Sequence, residues 1–385
     1  MSRSLVFIMA AGAGLTVASI YYAQPLLELM RRSLGMSLFQ TGLIITASQL
    51  GYGLGLTFLV PLGDLMERRR LVVAMTLGLS MCLAAMALAP FAWLLLAAAF
   101  MGGALSAVAQ VLVAFAATLA APAQRGRVVG TVMSGLLLGI LLARTAAGYL
   151  AQIGSWRAVF ALASATMIAL ALVFYRGLPA YRAHVGIGYL ALIRSVFSLL
   201  AHEPRLRLRS IYGAIGFAAF SVLWTPIALM LSRPPFQFGS ATIGMFGLAG
   251  VAGTLSASLA GRMSDMGMAP LMTGITSAFL VLSWLPLKLG DHSVLILILG
   301  IVLLDFAVQG LHITNQGEIY SLRPEARSRI TSAYMASYFA GGVFGSAFSS
   351  MAYARFGWSG VCSLGASLGA VATLLWLYSL RKKSL

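Results

Sequence analysis

The chain has 385 residues, 60% of them hydrophobic and only 9% charged, with a mean hydropathy of +0.93. A soluble domain carries about 25% charged residues, so this composition excludes a soluble globular protein and points to an integral membrane protein. The formal net charge of +17 would suit a nucleic-acid partner, but the placement of the bases along the chain argues against one.

Apolar runs of bilayer-spanning length recur from end to end. Twelve are read in chain order: Leu5–Met30, Ser37–Leu62, Leu71–Ala89, Ala92–Leu119, Val128–Ala151, Trp156–Tyr175, Ser210–Leu231, Ala241–Leu259, Ala269–Leu287, Ser293–Ile319, Ile330–Tyr353 and Trp358–Leu380. The first begins like a signal peptide, but its apolar run continues to Met30, beyond signal length, and is read as an uncleaved span. The bases gather in alternate loops: Arg68, Arg69 and Arg70; Arg125 and Arg127; Arg176, Arg182, Arg194, Arg205, Arg207 and Arg209; Arg323, Arg327 and Arg329; and the tail Arg381, Lys382 and Lys383. The other loops hold far fewer. The bias follows the positive-inside rule and puts both termini in the cytoplasm.

Spans one to six are expected to form one bundle, residues 1–175, and spans seven to twelve a second, residues 210–385. Residues 176–209 form a basic linker between them. Its residues Leu190, Ile193, Val196, Phe197 and Leu200 share one helical face, which suits an interfacial amphipathic helix; a loosely ordered tether is the alternative. The halves repeat one another at an offset near 202. Pro122-Ala-Gln-Arg125-Gly-Arg127 matches Pro324-Glu-Ala-Arg327-Ser-Arg329, and Met133, Gly139 and Trp156 match Met335, Gly341 and Trp358. At an offset of 201, Pro25 matches Pro226 and Asp64 matches Asp265. Shared spacing in the same loop-then-helix context indicates duplication, with two parallel six-span repeats.

Asp305 is the most telling residue. It lies roughly 18 Å along the tenth span from Ser293, near the bilayer midplane. A carboxylate there costs about 3 kcal/mol on insertion scales, which makes it a functional-site candidate. Gln309, His312 and Gln316 follow at helical spacing and share with it an arc of roughly 60°. Such a stripe suits a water-filled path that moves protons or holds a polar solute; a polar cluster satisfied by neighbouring helices is the structural alternative. Cys82 and Cys362 both fall within apolar spans, where a disulfide is not expected. Asp305 and His312 are too few for a metal site, and no nucleotide-binding G-x-x-x-x-G-K-[ST] loop is present. Gly365-Ala-Ser-Leu-Gly369 matches a hydrolase elbow in letters only: it sits in an apolar span, where small residues serve helix packing. No catalytic group set and no cofactor site is expected.

The loop after span two, Pro61-Leu62-Gly63-Asp64-Leu65-Met66-Glu67-Arg68-Arg69-Arg70, resembles the signature loop of the Major Facilitator Superfamily. A weaker copy, Gly261-Arg262-Met263-Ser264-Asp265-Met266-Gly267, stands at the matching place in the second half. Ile20-Tyr21-Tyr22-Ala23-Gln24-Pro25, the stretch Asp305 to Gln316 and the run Arg125 to Gly148 resemble the bacterial inner-membrane branch related to drug–proton antiporters. The resemblance implies an all-α fold of twelve transmembrane helices in two six-helix bundles, working as a monomer in the cytoplasmic membrane. It implies a gating role for Asp64, with Arg68 and Arg69 as charge partners and Asp265 as the second-half counterpart. Tyr21, Tyr22, Gln24, Gln110, Trp224, Thr225, Tyr334 and Tyr338 are expected to face a substrate cavity together with Gln309 and Gln316. Departures are also visible. Val60, Leu65 and Glu67 replace a glycine, a basic residue and a second glycine of the signature loop, and Glu67 is placed to pair with local arginines. In span five, Arg144 stands where an antiporter has proline. The basic residue usual in span four is absent from Ala98-Ala99-Phe100-Met101-Gly102. Arg144 lies about 12 Å from the outer end of its helix and is expected either to form a switchable contact with Asp305 or to snorkel outward.

The function these residues imply is secondary transport of a small, partly apolar solute, as proton-coupled efflux with Asp305 as carrier and His312 as relay. Uptake symport or facilitated diffusion is the alternative, and a non-transporting sensor a more distant one. Neither nucleic acid nor metal is an expected partner.

Overall fold

The computed structural model describes residues 2–121, 124–182, 188–320, 322 and 327–383, without side chains at 252–255, 258, 265, 320, 327–328, 382 and 383. The Pro122-Ala123 and 323–326 ends of the repeat motif and the side chain of Asp265 lie outside what is described.

Among the described residues the chain is helical throughout, apart from one isolated bridge between Glu67 and Arg182. Nine helical stretches among the described residues are long and apolar enough to cross a membrane. One of them, Arg329–Arg381, has 53 residues and would measure about 80 Å if straight, far more than a bilayer core. It is two spans broken at Gly357, whose φ of 60° and ψ of −154° only glycine adopts readily. The first span is assembled from Arg3–Ala18, the 3-10 turn Gln24–Leu26 and Leu27–Leu34. The eighth is assembled from Ser240–Met245, Phe246–Gly250 and Val251–Asp265. Twelve spans result.

Element ends follow from local chemistry. Ser2 and Ser155 cap Arg3–Ala18 and Trp156–Gly177 by accepting from Leu5 N–H and Ala158 N–H. Pro204 opens the seventh span at a position where no N–H is needed. That helix starts six residues before the expected Ser210, so it takes up the end of the basic linker. The linker itself carries a helix, Tyr189–His202.

Spans one and seven both break at their matched prolines. Span one leaves α-helix after Ala18 and runs through tight three-residue turns, such as Tyr21 N–H to Ala18 carbonyl at 2.9 Å, into Pro25. Span seven ends its first helix, Pro204–Trp224, at Thr225-Pro226 and restarts as Ile227–Leu231. Each proline lacks the N–H that would continue the helix. A discontinuous helix at membrane depth leaves backbone groups to be satisfied locally, and such breaks are where transporters bind. Span two carries its own irregularity, a π-turn over Gly55–Leu59 followed by a 3-10 turn over Val60–Asp64.

Two compact units emerge. One comprises residues 1–36, 47–194 and 239–247; the other comprises 37–46, 195–238 and 248–385. Each is built chiefly from one half of the repeat and includes a short stretch of the other half. In both, glycines let helices meet backbone to backbone: Gly139 faces Gly14, and its repeat mate Gly341 faces Ala214. The outer surfaces are apolar instead of polar. Leu295, Leu88, Met81 and Trp93 are 80%, 77%, 73% and 70% exposed, as expected for faces solvated by lipid.

Candidate functional site

In the first unit the break in span one presents Tyr21, Tyr22 and Gln24. Tyr21 and Gln24 are buried and Tyr22 is half-buried. Arg144, from the middle of the helix Arg125–Ile153, is buried at 4% exposure. Its Nε donates to Gln24 Oε1, and its guanidinium sits 4.9 Å from the Tyr21 ring centroid. Amide and aromatic face together hold the cation inside the protein, so Arg144 does not snorkel. Its aliphatic stem lies against Gly247, where an added Cβ would come within 3.0 Å of Arg144 Cδ. Around it, Thr145 Oγ1 donates to the Gly244 carbonyl at 3.1 Å and Ser240 Oγ to the Gly148 carbonyl at 2.9 Å. Gln110 is half-buried and shares a hydrogen bond with Tyr52, a tyrosine of span two that is 3% exposed.

The second unit contains the repeat of this seam. There Thr46 and Ser346 hydroxyls are 2.6 Å apart, and Gly42 leaves no room beside Ser350. The 202 offset pairs Gly42 with Gly244, Gly148 with Ser350 and Arg144 with Ser346. One half thus has a serine hydroxyl where the other has a guanidinium, and the repeat itself marks Arg144 as a specialised position.

Asp305 lies in the second unit, in the helix Val294–Tyr320, and is 4% exposed. Trp224 Nε1, at the break in span seven, donates to its Oδ1 over a long 3.4 Å. Thr225, next to that break, is also buried. Down the same helix face, Gln309, His312 and Gln316 are half-buried. His312 Nδ1 and the Tyr334 hydroxyl are 2.9 Å apart, and the imidazole lies 4.6 Å from the Tyr338 ring. An aromatic ribbon joins the two titratable groups. Tyr338 stacks on Phe217 at 4.2 Å, Phe217 on Phe220 at 5.6 Å, and Phe220 tilts against Trp224 at 5.9 Å. Acid and imidazole therefore belong to one wall of rings.

The loop after span two forms a charge cluster. Arg68 Nη2 meets Asp64 Oδ1 at 2.8 Å, its Nε donates to the Gly63 carbonyl at 2.9 Å and its Nη1 to Thr118 Oγ1 at 2.6 Å. The guanidinium lies near both the Phe115 and Tyr181 rings, 5.8 and 5.5 Å from their centroids. Arg69 pairs with Glu67 at 3.3 Å, as does Arg70 at 2.9 Å, so the Asp64 pair belongs to Arg68. Asp265 closes the helix Val251–Asp265 at the matching place.

Several residues of these sites escaped the sequence reading. Tyr52, Phe217 and Phe220 look like ordinary span residues, and only the fold brings them beside Gln110, Tyr338 and Trp224. Arg209 read as one more linker base. In the structure it donates to Thr273 Oγ1 at 2.8 Å and Asn315 Oδ1 at 3.4 Å, and pairs with Glu318 at 3.2 Å. An acid three residues from a buried Asn in an apolar span was the available signal.

Known proteins resemble the chain in sequence and in fold. The sequence profile of the Major Facilitator Superfamily matches residues 6–322. The uncharacterized transporter YgaY of Escherichia coli O157:H7 is 49% identical over 380 residues, covering 98% of this chain and 95% of that protein. The inner membrane transport protein YnfM of Escherichia coli K12 is 25% identical over 376 residues, covering 97% and 89%. A crystal structure of a bacterial homologue of the human lysosomal transporter Spinster, inward-facing and occupied, superposes with a TM-score of 0.75 at 14% identity, covering 99% of this chain and 98% of that one; it is alike in fold. With a profile match over most of its length and a relative that is nearly half identical end to end, the chain belongs to the Major Facilitator Superfamily and is a membrane transporter of that type.

Proposed function

We propose that the chain is a secondary active transporter that exports a small, partly apolar solute in exchange for protons, by alternating access in the bacterial inner membrane. The observation that carries this reading is Asp305. It is buried at 4% exposure in an apolar helix, next to a proline-broken span and at the head of an aromatic wall that leads to His312. A carboxylate at that depth is costly to keep. It is well suited to titrate as the site changes its access to water.

Asp305 carries the proton, with His312 and Tyr334 as a relay toward the cytoplasmic end. Rings at Trp224, Phe220, Phe217 and Tyr338 offer apolar contact to the solute, and Gln309 and Gln316 offer hydrogen bonds. Arg144, Gln24, Tyr21, Tyr52 and Gln110 form the polar set of the other unit. Asp64 and Arg68 tune the exchange between states. Both termini face the cytoplasm, and one copy of the chain is the working unit. Uptake by symport is the competing direction for the same residues.

Flux of a solute library in proteoliposomes with an imposed pH gradient tests the reading. Uphill movement of at least one solute, with opposite proton movement, is expected. Downhill movement alone, indifferent to the gradient, would reduce the chain to a facilitator.

A further inference from the structure

The helix Tyr189–His202 in the linker has no part in the transport reading. Its surface is divided. Ile193 and Val196 are buried, whereas Leu190 and Phe197 are 80% and 51% exposed. At helical spacing Leu190, Arg194 and Phe197 fall on one stripe, so an exposed apolar strip has an arginine at its centre. Only Glu203 separates the helix from Pro204, where span seven begins. Two chain steps reach at most about 7 Å, which keeps the C-terminal end of the helix beside the start of span seven. Arg194 within the helix and Arg176, Arg182, Arg205 and Arg207 on either side of it in sequence are all exposed. A surface with two large apolar side chains and several arginines, beside the start of a span, complements anionic lipid.

The same linker is fastened to the loop after span two. Tyr189 Oη donates to the Phe58 carbonyl at 2.8 Å, within the π-turn that precedes Asp64. Arg68 N–H donates to the Tyr181 carbonyl at 2.9 Å, and Arg182 bridges Glu67. We infer that Tyr189–His202 is a sensor of anionic lipid: Leu190 and Phe197 enter the interface, Arg194 meets lipid phosphate, and docking steadies the Asp64–Arg70 loop through the Tyr189 hydrogen bond.

The test uses the full chain with Leu190→Cys carrying a nitroxide, in a Cys82→Ala, Cys362→Ala background, in phosphatidylcholine vesicles with or without phosphatidylglycerol. With phosphatidylglycerol the label should become accessible to oxygen and shielded from an aqueous relaxant. Arg194→Gln should weaken that lipid dependence about fivefold. In the unlabelled wild-type protein, phosphatidylglycerol should slow amide exchange in both Tyr189–His202 and the Asp64–Arg70 loop. Tyr189→Phe should keep the slowing in the helix and lose it in the loop. A label that stays in water in every vesicle, or is buried equally in both lipids, would overturn the lipid assignment. Loop slowing that survives Tyr189→Phe would overturn the coupling. Because none of these readings needs a transported solute, they fail or hold independently of the proposed export.

Discussion

Arg144 donates a side-chain hydrogen bond to Gln24, tying the middle of span five to the break in span one. Its repeat counterpart is Ser346, so the interaction belongs to one half alone. A charge-assisted hydrogen bond of a buried cation contributes about 1.5–3 kcal/mol. Arg144→Gln and Gln24→Leu should each lower thermal stability in detergent. The double change should cost clearly less than the two single costs together, because both remove the same contact. Additive losses would mean that the pair is incidental.

Asp64 holds Arg68, which also grips Gly63 and Thr118. Asp64→Asn removes the charge without emptying the site. It should shift the balance between access states by about tenfold while leaving solute affinity roughly intact, since a gate acts on populations and not on the binding groups. Distance distributions between spin labels would read the shift. Lost solute binding with unchanged distributions would count against a gating role.

Gly357 joins the last two spans at φ 60° and ψ −154°, a region closed to side-chain-bearing residues. Gly357→Val should destabilise the protein by about 1–3 kcal/mol, seen as a lower melting temperature. A neutral outcome would place the turn in a different conformation.

Reporter tags at Met1, at Ala183 in the linker and at Leu385 should all be cytoplasmic, as the excess of bases in those segments requires. Protease or label access to any of the three from the periplasm would break the proposed orientation.

The sequence showed the spans, the duplication and Asp305 because hydropathy, repeat spacing and an isolated charge are local signals. It did not show that span one breaks into Arg3–Ala18 and Leu27–Leu34, although Pro25 with its mate Pro226 was the visible cause. Nor did it show that the turn between spans eleven and twelve is confined to Gly357, because backbone conformation at a single glycine leaves no trace in composition. The partners of Arg144 were equally hidden: snorkelling and burial predict the same residue type, and only packing against Tyr21 and Gly247 decides between them. The aromatic ribbon from Trp224 to His312 joins three spans, and side chains brought together by tertiary packing have no sequence spacing to read.

The most direct test of the account is proton-coupled accumulation by Asp305→Asn in proteoliposomes, measured with any solute that the wild type moves uphill. The amide keeps size and shape but cannot titrate, so accumulation driven by the pH gradient should vanish, and solute binding should no longer vary with pH. An Asp305→Asn protein that still drives uphill transport would contradict the central claim that Asp305 carries the proton.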